Sequence, residues 1–322
     1  MAANPTIAQP FDFLREDLQT KQRGLWEQAF RRLVRNRLAI ISLFILALIA
    51  VVSLLASFVP AVAHHPPGTQ DYGALETSPG TAFWLGTDGL GRDLWSRLLE
   101  GTLFSLKIGI LAQVVILTIG ITIGMLAALG GRWSDTLLMW FTDLAYAFPD
   151  LLAIILFRQI LLGREWPVIG EGNPQIPGFP GVLLVTILAI SFVSWVTVSR
   201  LVRGQMLSIK ETDYVLAARA SGASPLRVVA VHMLPNTLGA IIVAVTFGIP
   251  LAIFAEAALG FIGLGVPPPA ASLGTLISDG LDHIQTNPIE ILWPAIMVAV
   301  LMLCFTFLGD GLRDALDPRT RK

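Results

Sequence analysis

The sequence predicts an all-α integral membrane protein with six transmembrane helices, preceded by an amphipathic helix lying at a membrane surface. Three observations carry this. Of 322 residues, 54% are hydrophobic and 14% charged, where soluble domains carry about 25% charged residues. A mean hydropathy of +0.70 means that a soluble fold of this length has no core large enough to hide most of the chain. Six long apolar runs follow one another, each near the roughly 20 residues a span requires, and Lys and Arg collect at alternate ends of them, as the charge bias across a membrane demands.

Taken in order, residues 1–24 are polar and proline-punctuated and read as a flexible cytoplasmic leader. Leu25, Trp26, Ala29, Phe30, Leu33 and Val34 then recur at helical spacing with Arg31, Arg32 and Arg35 interleaved, the pattern of an interfacial helix. The first span is Leu38 to Ala63, so 25–63 forms one unit. It lies too far into the chain for a cleaved signal peptide, and no cleavage pattern follows before Pro66-Pro67. Residues 64–102 form an extracytoplasmic segment. The transmembrane core, 103–311, holds five further spans: Leu103–Ala128, Thr136–Leu162, Gly181–Ser199, Asn236–Leu264 and Ile289–Leu308. Residues 200–235 form a cytoplasmic loop within it, and 312–322 a cytoplasmic tail.

Orientation follows from the cations. With the N-terminus inside, seven Lys/Arg fall in the leader and its helix, five between spans four and five, and four at the end. The outer segments hold only Arg92, Arg97 and Arg164. Both termini are expected on the cytoplasmic side of the membrane. Trp133, Trp140 and Trp195 fall near inner ends and Trp166 and Trp293 near outer ends, at the headgroup level that indole prefers.

The chemistry is defined largely by what is missing. A net charge of −1 argues against a nucleic-acid partner; membrane lipid is the solvent. One cysteine, Cys304, cannot form an internal disulfide, and the four histidines offer no metal spacing except the adjacent His64 and His65, read as interfacial. No G-x-x-x-x-G-K-[ST] phosphate loop occurs: Gly260 to Gly265 is followed by Val266 and three prolines. Serine-nucleophile and zinc-protease motifs are equally missing, so neither ATP hydrolysis by this chain nor another enzymatic activity is expected.

Charges within spans single out Lys107, Asp143, Asp150, Arg158 and Glu256. Asp143 and Asp150, seven apart, share one face of the third span, with Pro149 loosening the helix between Phe148 and Asp150. Two readings are open. In one, Asp143 and Asp150 form a proton or sodium relay, and an ion-coupled secondary transporter would use Asp143 and Glu256. In the other, Lys107 and Arg158 snorkel, Asp150 and Glu256 cap or bond within the bundle, and Asp143 alone is deep. A membrane scaffold is a third class of function, and leaves the patterned loop unexplained.

That loop is the most informative soluble stretch. Asp213 can cap a helix beginning at Tyr214, Val215 to Ser221 is helix-forming, and Gly222 suits a left-handed stop. Ser224 is a good N-cap and Pro225 sits at a first helical position, leading through Leu226–Met233 to Leu234-Pro235 and the fifth span. Ala217, Ala218, Ser221 and Gly222 give a low-relief face that another protein could approach, although a plain connector has the same elements.

Glu211 to Pro235, ETDYVLAARASGASPLRVVAVHMLP, resembles the cytoplasmic loop signature of binding-protein-dependent ABC importer permeases. Ala217, Ala218, Gly222, Leu234 and Pro235 match that pattern, and Leu216 stands where its glutamate usually is. Leu85 to Asp93 with Ser96-Arg97 is similar to the segment after the first span in the dipeptide, oligopeptide and nickel subgroup, in its C-type permease. Ala147-Phe148-Pro149 with Asp143, Gly263 to Val266 with Pro268, and Leu308 to Asp314 with Asp317-Pro318 are similar to it too. The resemblance covers roughly residues 25–320. It implies a type I ABC importer fold, with a second homologous permease, two cytoplasmic ATPases and an extracytoplasmic solute-binding protein. It further implies that ATP and Mg are bound by the ATPases, with no cofactor in this chain. It also implies that the Tyr214–Gly222 helix docks on an ATPase, and that the solute is a peptide, a nickel chelate or a related compound. Independently, the outer segments carry ten Asp/Glu, an acidic face that a binding protein could read.

Overall fold

The computed structural model describes residues 25–162 and 181–317. The leader 1–24, residues 163–180 with Arg164 and Trp166, and the end of the tail from Pro318 lie outside the described residues.

Ten helices of one turn-pair or more make up the described architecture. Helix α1 is Leu25–Arg35 and α2 Arg37–Ala56, the break between them capped by Asn36, whose side chain accepts from the Ala39 amide at 3.2 Å. A single turn, Pro60–Ala63, follows. Next come α3 (Leu94–Leu129), α4 (Gly131–Tyr146), α5 (Asp150–Leu162), α6 (Gly181–Lys210) and α7 (Asp213–Ala220). Helix α8 (Pro225–Leu264) contains wide turns at Val228–Met233 and Gly260–Leu264; α9 is Leu273–Asp282 and α10 Ile289–Leu316. Helices α2, α3, α6, α8 and α10 are each long and apolar enough to cross a membrane, and α4 with α5 is so only as a pair, bent at a short break, with the form of a broken span or a re-entrant loop. Among the described residues the only extended pairing is an isolated bridge, Thr87 to Asp93.

Two helices form the spine. On α3, Gly120 and Gly124 stand four apart; a Cβ on the first would lie 2.7 Å from Val198 Cβ and on the second 2.6 Å from the Ser199 carbonyl oxygen of α6. Small residues at this spacing let two backbones touch, the way helices gain contact in lipid where apolar burial alone drives nothing. The main core follows that seam and continues through Met206 and Ile209 to Val215, Val228 and Met233, so the 211–235 loop is packed into the bundle rather than hung from it. A second cluster joins Leu46, Leu106, Ile253, Leu273, Leu301 and Phe305 from α2, α3, α8, α9 and α10.

Several limits move. The first helix of membrane length ends at Ala56, and α3 begins at Leu94 rather than Leu103, where Asp93 accepts from the Ser96 amide at 2.9 Å. Helix α6 runs past Ser199 to Lys210 and α10 past Leu308 to Leu316. At about 1.5 Å per residue, α3 exceeds the apolar thickness of a bilayer, so its ends project. The expected third span, Thr136–Leu162, is not one helix: it bends by 92° between Tyr146 and Asp150. Pro149 has no amide hydrogen to continue the ladder and biases Phe148 away from the helical region.

Candidate functional site

The loop between α6 and α8 takes the expected form, with one change of cap. Thr212, extended, occupies the N-cap and Asp213 the first turn of α7, with no capping bond from either side chain. Residues Val215 and Leu216 both donate their amides to the Thr212 carbonyl at 3.0 Å. At the other end Gly222 has φ +82; its amide donates to the Arg219 carbonyl at 2.9 Å and the Ala223 amide to Ala218 at 3.1 Å. This paired stop requires a left-handed residue, and only glycine adopts that conformation without strain. Ser224 is extended and makes no side-chain cap, and Pro225 opens α8, which passes Leu234 and Pro235 without a break.

Burial divides α7 into two faces. Val215 is fully buried and Ala218 packs against the core. Tyr214, Leu216, Ala217 and Gly222 are exposed, and beyond the corner Leu226 is 82% and Val231 55% exposed. Apolar side chains held outward on α7 and the first turns of α8 form a surface suited to a protein partner.

Ion pairs tie the helix leading into this loop to its neighbour. Arg203 of α6 grips Asp135 of α4 with two nitrogens, Nη2 at 2.6 Å from Oδ2. Arg200 donates to Asp143 at 2.8 Å and lies 4.5 Å over the Tyr146 ring. Lys210 reaches the Ala128 carbonyl at 3.5 Å. Asp143, the one charge expected to be deep, has a side chain that is 68% exposed and paired with Arg200. Asp150 is exposed in the first turn of α5, beyond the bend, so the two do not share a helical face.

Glu256 is buried on α8 and accepts from Ser105 Oγ of α3 at 2.6 Å, while Ser105 also receives the Leu273 amide at 3.4 Å. Glu256 thus bonds within the bundle, as the second of the two readings expects. Arg158 does not snorkel: it is 4% exposed and donates to the Gly265 carbonyl at 3.0 Å.

Charge counting missed a buried clasp at the opposite end from α7. Fully buried Asp88 accepts from Arg92 Nε and Arg97 Nη1, both at 2.6 Å, and from the Leu90 and Arg92 amides at 2.9 Å. Arg97 also reaches Asp279 of α9 at 3.2 Å. Asp88, Asp93 and Glu290, counted above in an exposed acidic face, are interior. The clasp ties the 64–93 segment to α3 and α9.

Membrane-length helices around a glycine-seamed pair, with a short helix presented at one end, define a polytopic α-helical membrane protein. Comparison with known proteins narrows the class. Residues 120–322 match the family described as the inner membrane component of binding-protein-dependent transport systems, and residues 24–79 match the N-terminal TM domain of oligopeptide transport permease C. The chain is 37% identical to the oligopeptide transport system permease protein OppC of Bacillus subtilis (strain 168), over 95% of its own length and 94% of the relative's. It is 37% identical to the dipeptide transport system permease protein DppC of the same organism, covering 92% and 86%, and 34% identical to OppC of Escherichia coli (strain K12), covering 95% of each. The fold is similar to a solved inward-facing MetNI methionine ABC transporter chain, with a TM-score of 0.53 at 19% identity, covering 69% of this chain and 96% of that one. The chain belongs to the binding-protein-dependent permease family: it is a membrane-spanning subunit of an ABC importer with the type I fold, not an enzyme.

Proposed function

We propose that this chain forms half of a translocation path for oligopeptides or dipeptides, the other half being a second, homologous permease. Its relatives' printed names carry the solute class; a nickel chelate is the nearest departure within the resembling subgroup. Two ATPases hold the ATP and Mg, a solute-binding protein delivers cargo from outside, and both termini are cytoplasmic. The observation that carries the coupling role is α7: Tyr214, Leu216, Ala217 and the Gly222 corner face outward while Val215 and Ala218 root the helix in the core. An ATPase gripping this face moves α6 and α8 together, because α7 joins them through short connections on either side. The pairs Arg203–Asp135 and Arg200–Asp143 carry that motion into α4, next to the bend.

The test is peptide uptake into proteoliposomes holding the whole complex and its binding protein. Uptake is expected to need ATP inside and to survive collapse of the proton gradient; loss on collapsing the gradient with ATP maintained would contradict the proposal.

A further inference from the structure

Beyond the single turn Pro60–Ala63 the chain reverses at His64, which has φ +68 and ψ −52. The His65 amide donates across it to the Ala63 carbonyl at 2.8 Å. This is a γ-turn of the positive-φ kind, which is rare and strained. Strain held in a backbone points to a site that uses it. Among the described residues only His64 and Glu76 have positive φ without being glycine.

What the turn achieves is the placement of two imidazoles. His64 Nδ1 and His65 Nδ1 stand 3.0 Å apart, with ring planes at 74° and centroids 4.5 Å apart. A straight N–H···N hydrogen bond of that length would hold the centroids about 5.3 Å apart, so the ring axes meet at an angle. Two imidazoles ligating one ion at ~2.1 Å, with this nitrogen separation, subtend about 90° at the ion and hold their centroids about 4.6 Å apart. The rings are also fixed from behind. His65 stacks on Phe83 at 4.7 Å, His64 lies 4.9 Å from Trp84, and Trp84 lies 5.7 Å from Trp95. The Trp95 indole in turn donates to the Val62 carbonyl at 2.9 Å. Packing of this kind keeps ligand rings from relaxing out of a binding geometry.

We propose that His64 and His65 chelate one copper(II) ion through their Nδ1 atoms. Imidazole suits the later divalent transition metals, and an angle near 90° fits tetragonal copper(II) or nickel(II) better than tetrahedral zinc(II). Copper(II) stands highest in the affinity order of these ions, which decides between the two. Each ring offers its Nδ1 lone pair once its hydrogen sits on Nε2, so the contact between the two nitrogens gives way to the ion. No third His, Cys, Asp or Glu joins the pair among the described residues, and His64 is exposed. The ion's other positions are open to solvent, so it exchanges, unlike an ion in a closed four-ligand site.

The experiment titrates copper(II) alone into the purified complex, carrying no affinity-tag histidines, with glycine as a competing chelator, and counts the ions held. Wild type is expected to hold one more ion than His64→Gly, and electron spin-echo modulation to report two imidazoles on that ion. His65→Gln is expected to weaken its binding at least about tenfold, since the second imidazole joins as an intramolecular ligand, and the double variant to be little worse than either single one. Glycine adopts positive φ freely, so His64→Gly is expected to assemble at least as well as wild type, which separates loss of the ion from loss of the fold. His65, whose φ is not positive, supplies the second variant, and His232→Gln, which leaves the pair intact, is expected to bind as wild type does. Equal copper in wild type and His64→Gly overturns the site, as does a single imidazole in the modulation or loss of the ion in His232→Gln. Zinc(II) held more tightly than copper(II) overturns the assigned ion.

Discussion

At Asp88 four donors converge on one buried carboxylate, two guanidinium nitrogens and two amides. Truncating one member of a buried ion network strands the others, at a cost of about 3–5 kcal/mol. Asp88→Ala is therefore expected to lower the thermal midpoint of the purified complex sharply or to abolish its accumulation, while Glu27→Ala, half of an exposed pair, leaves both unchanged. Gly222 is the second residue with a specific demand. A Cβ there meets nothing within 4 Å, so the penalty is conformational rather than steric: φ is +82. Gly222→Val is expected to cost on the order of 1–2 kcal/mol at the corner and to weaken ATPase co-purification or uncouple hydrolysis from uptake, with insertion intact. Transport and ATPase attachment at wild-type levels would remove the corner from the mechanism. Gly222 was readable in the sequence because a left-handed stop has a local signature. Asp88 was not: a carboxylate in a polar segment looks solvent-exposed, and the arginine it shares with Asp279 joins positions far apart in the chain.

Among the elements, the α4–α5 bend shows where apolar periodicity stops being informative. Residues Thr136 to Leu162 are apolar enough for one span, and hydropathy averaged over a window cannot see direction. Pro149 was legible as a weak point, but the 92° turn also reflects α4 being held against α6 by Arg203 and Arg200. Pro149→Ala restores the missing donor. Spin labels at Arg132 and Gln159 are expected to show a second population, longer by roughly 10 Å, from two segments of 16 and 13 residues approaching collinearity. An unchanged distance would assign the bend to packing alone. The limits of α3, α6 and α10 were misread for a related reason: spans were bounded by charge, whereas Arg97, Arg203 and Arg313 remain helical.

Across the whole molecule, the all-helical membrane architecture and the order of motifs were legible, because lipid as solvent leaves few alternatives to long helices. What the sequence could not supply is which polar groups find one another: Asp143 with Arg200, Glu256 with Ser105, Arg158 with the Gly265 carbonyl. Orientation can be read directly. In a Cys304→Ala background, a cysteine at Thr77 is expected to label from outside intact cells with an impermeant maleimide and one at Ser224 is not; the reverse would invert the topology. The central claim is that the outward face of α7 carries the ATPase's motion into the bundle. Its most direct test is a cysteine at Ala217, on that face, crosslinked to the ATPase subunits while the complex turns over. The account predicts a crosslink whose yield changes between nucleotide-free and ATP-bound complexes, with uptake lost once it forms; no crosslink in any nucleotide state would contradict it.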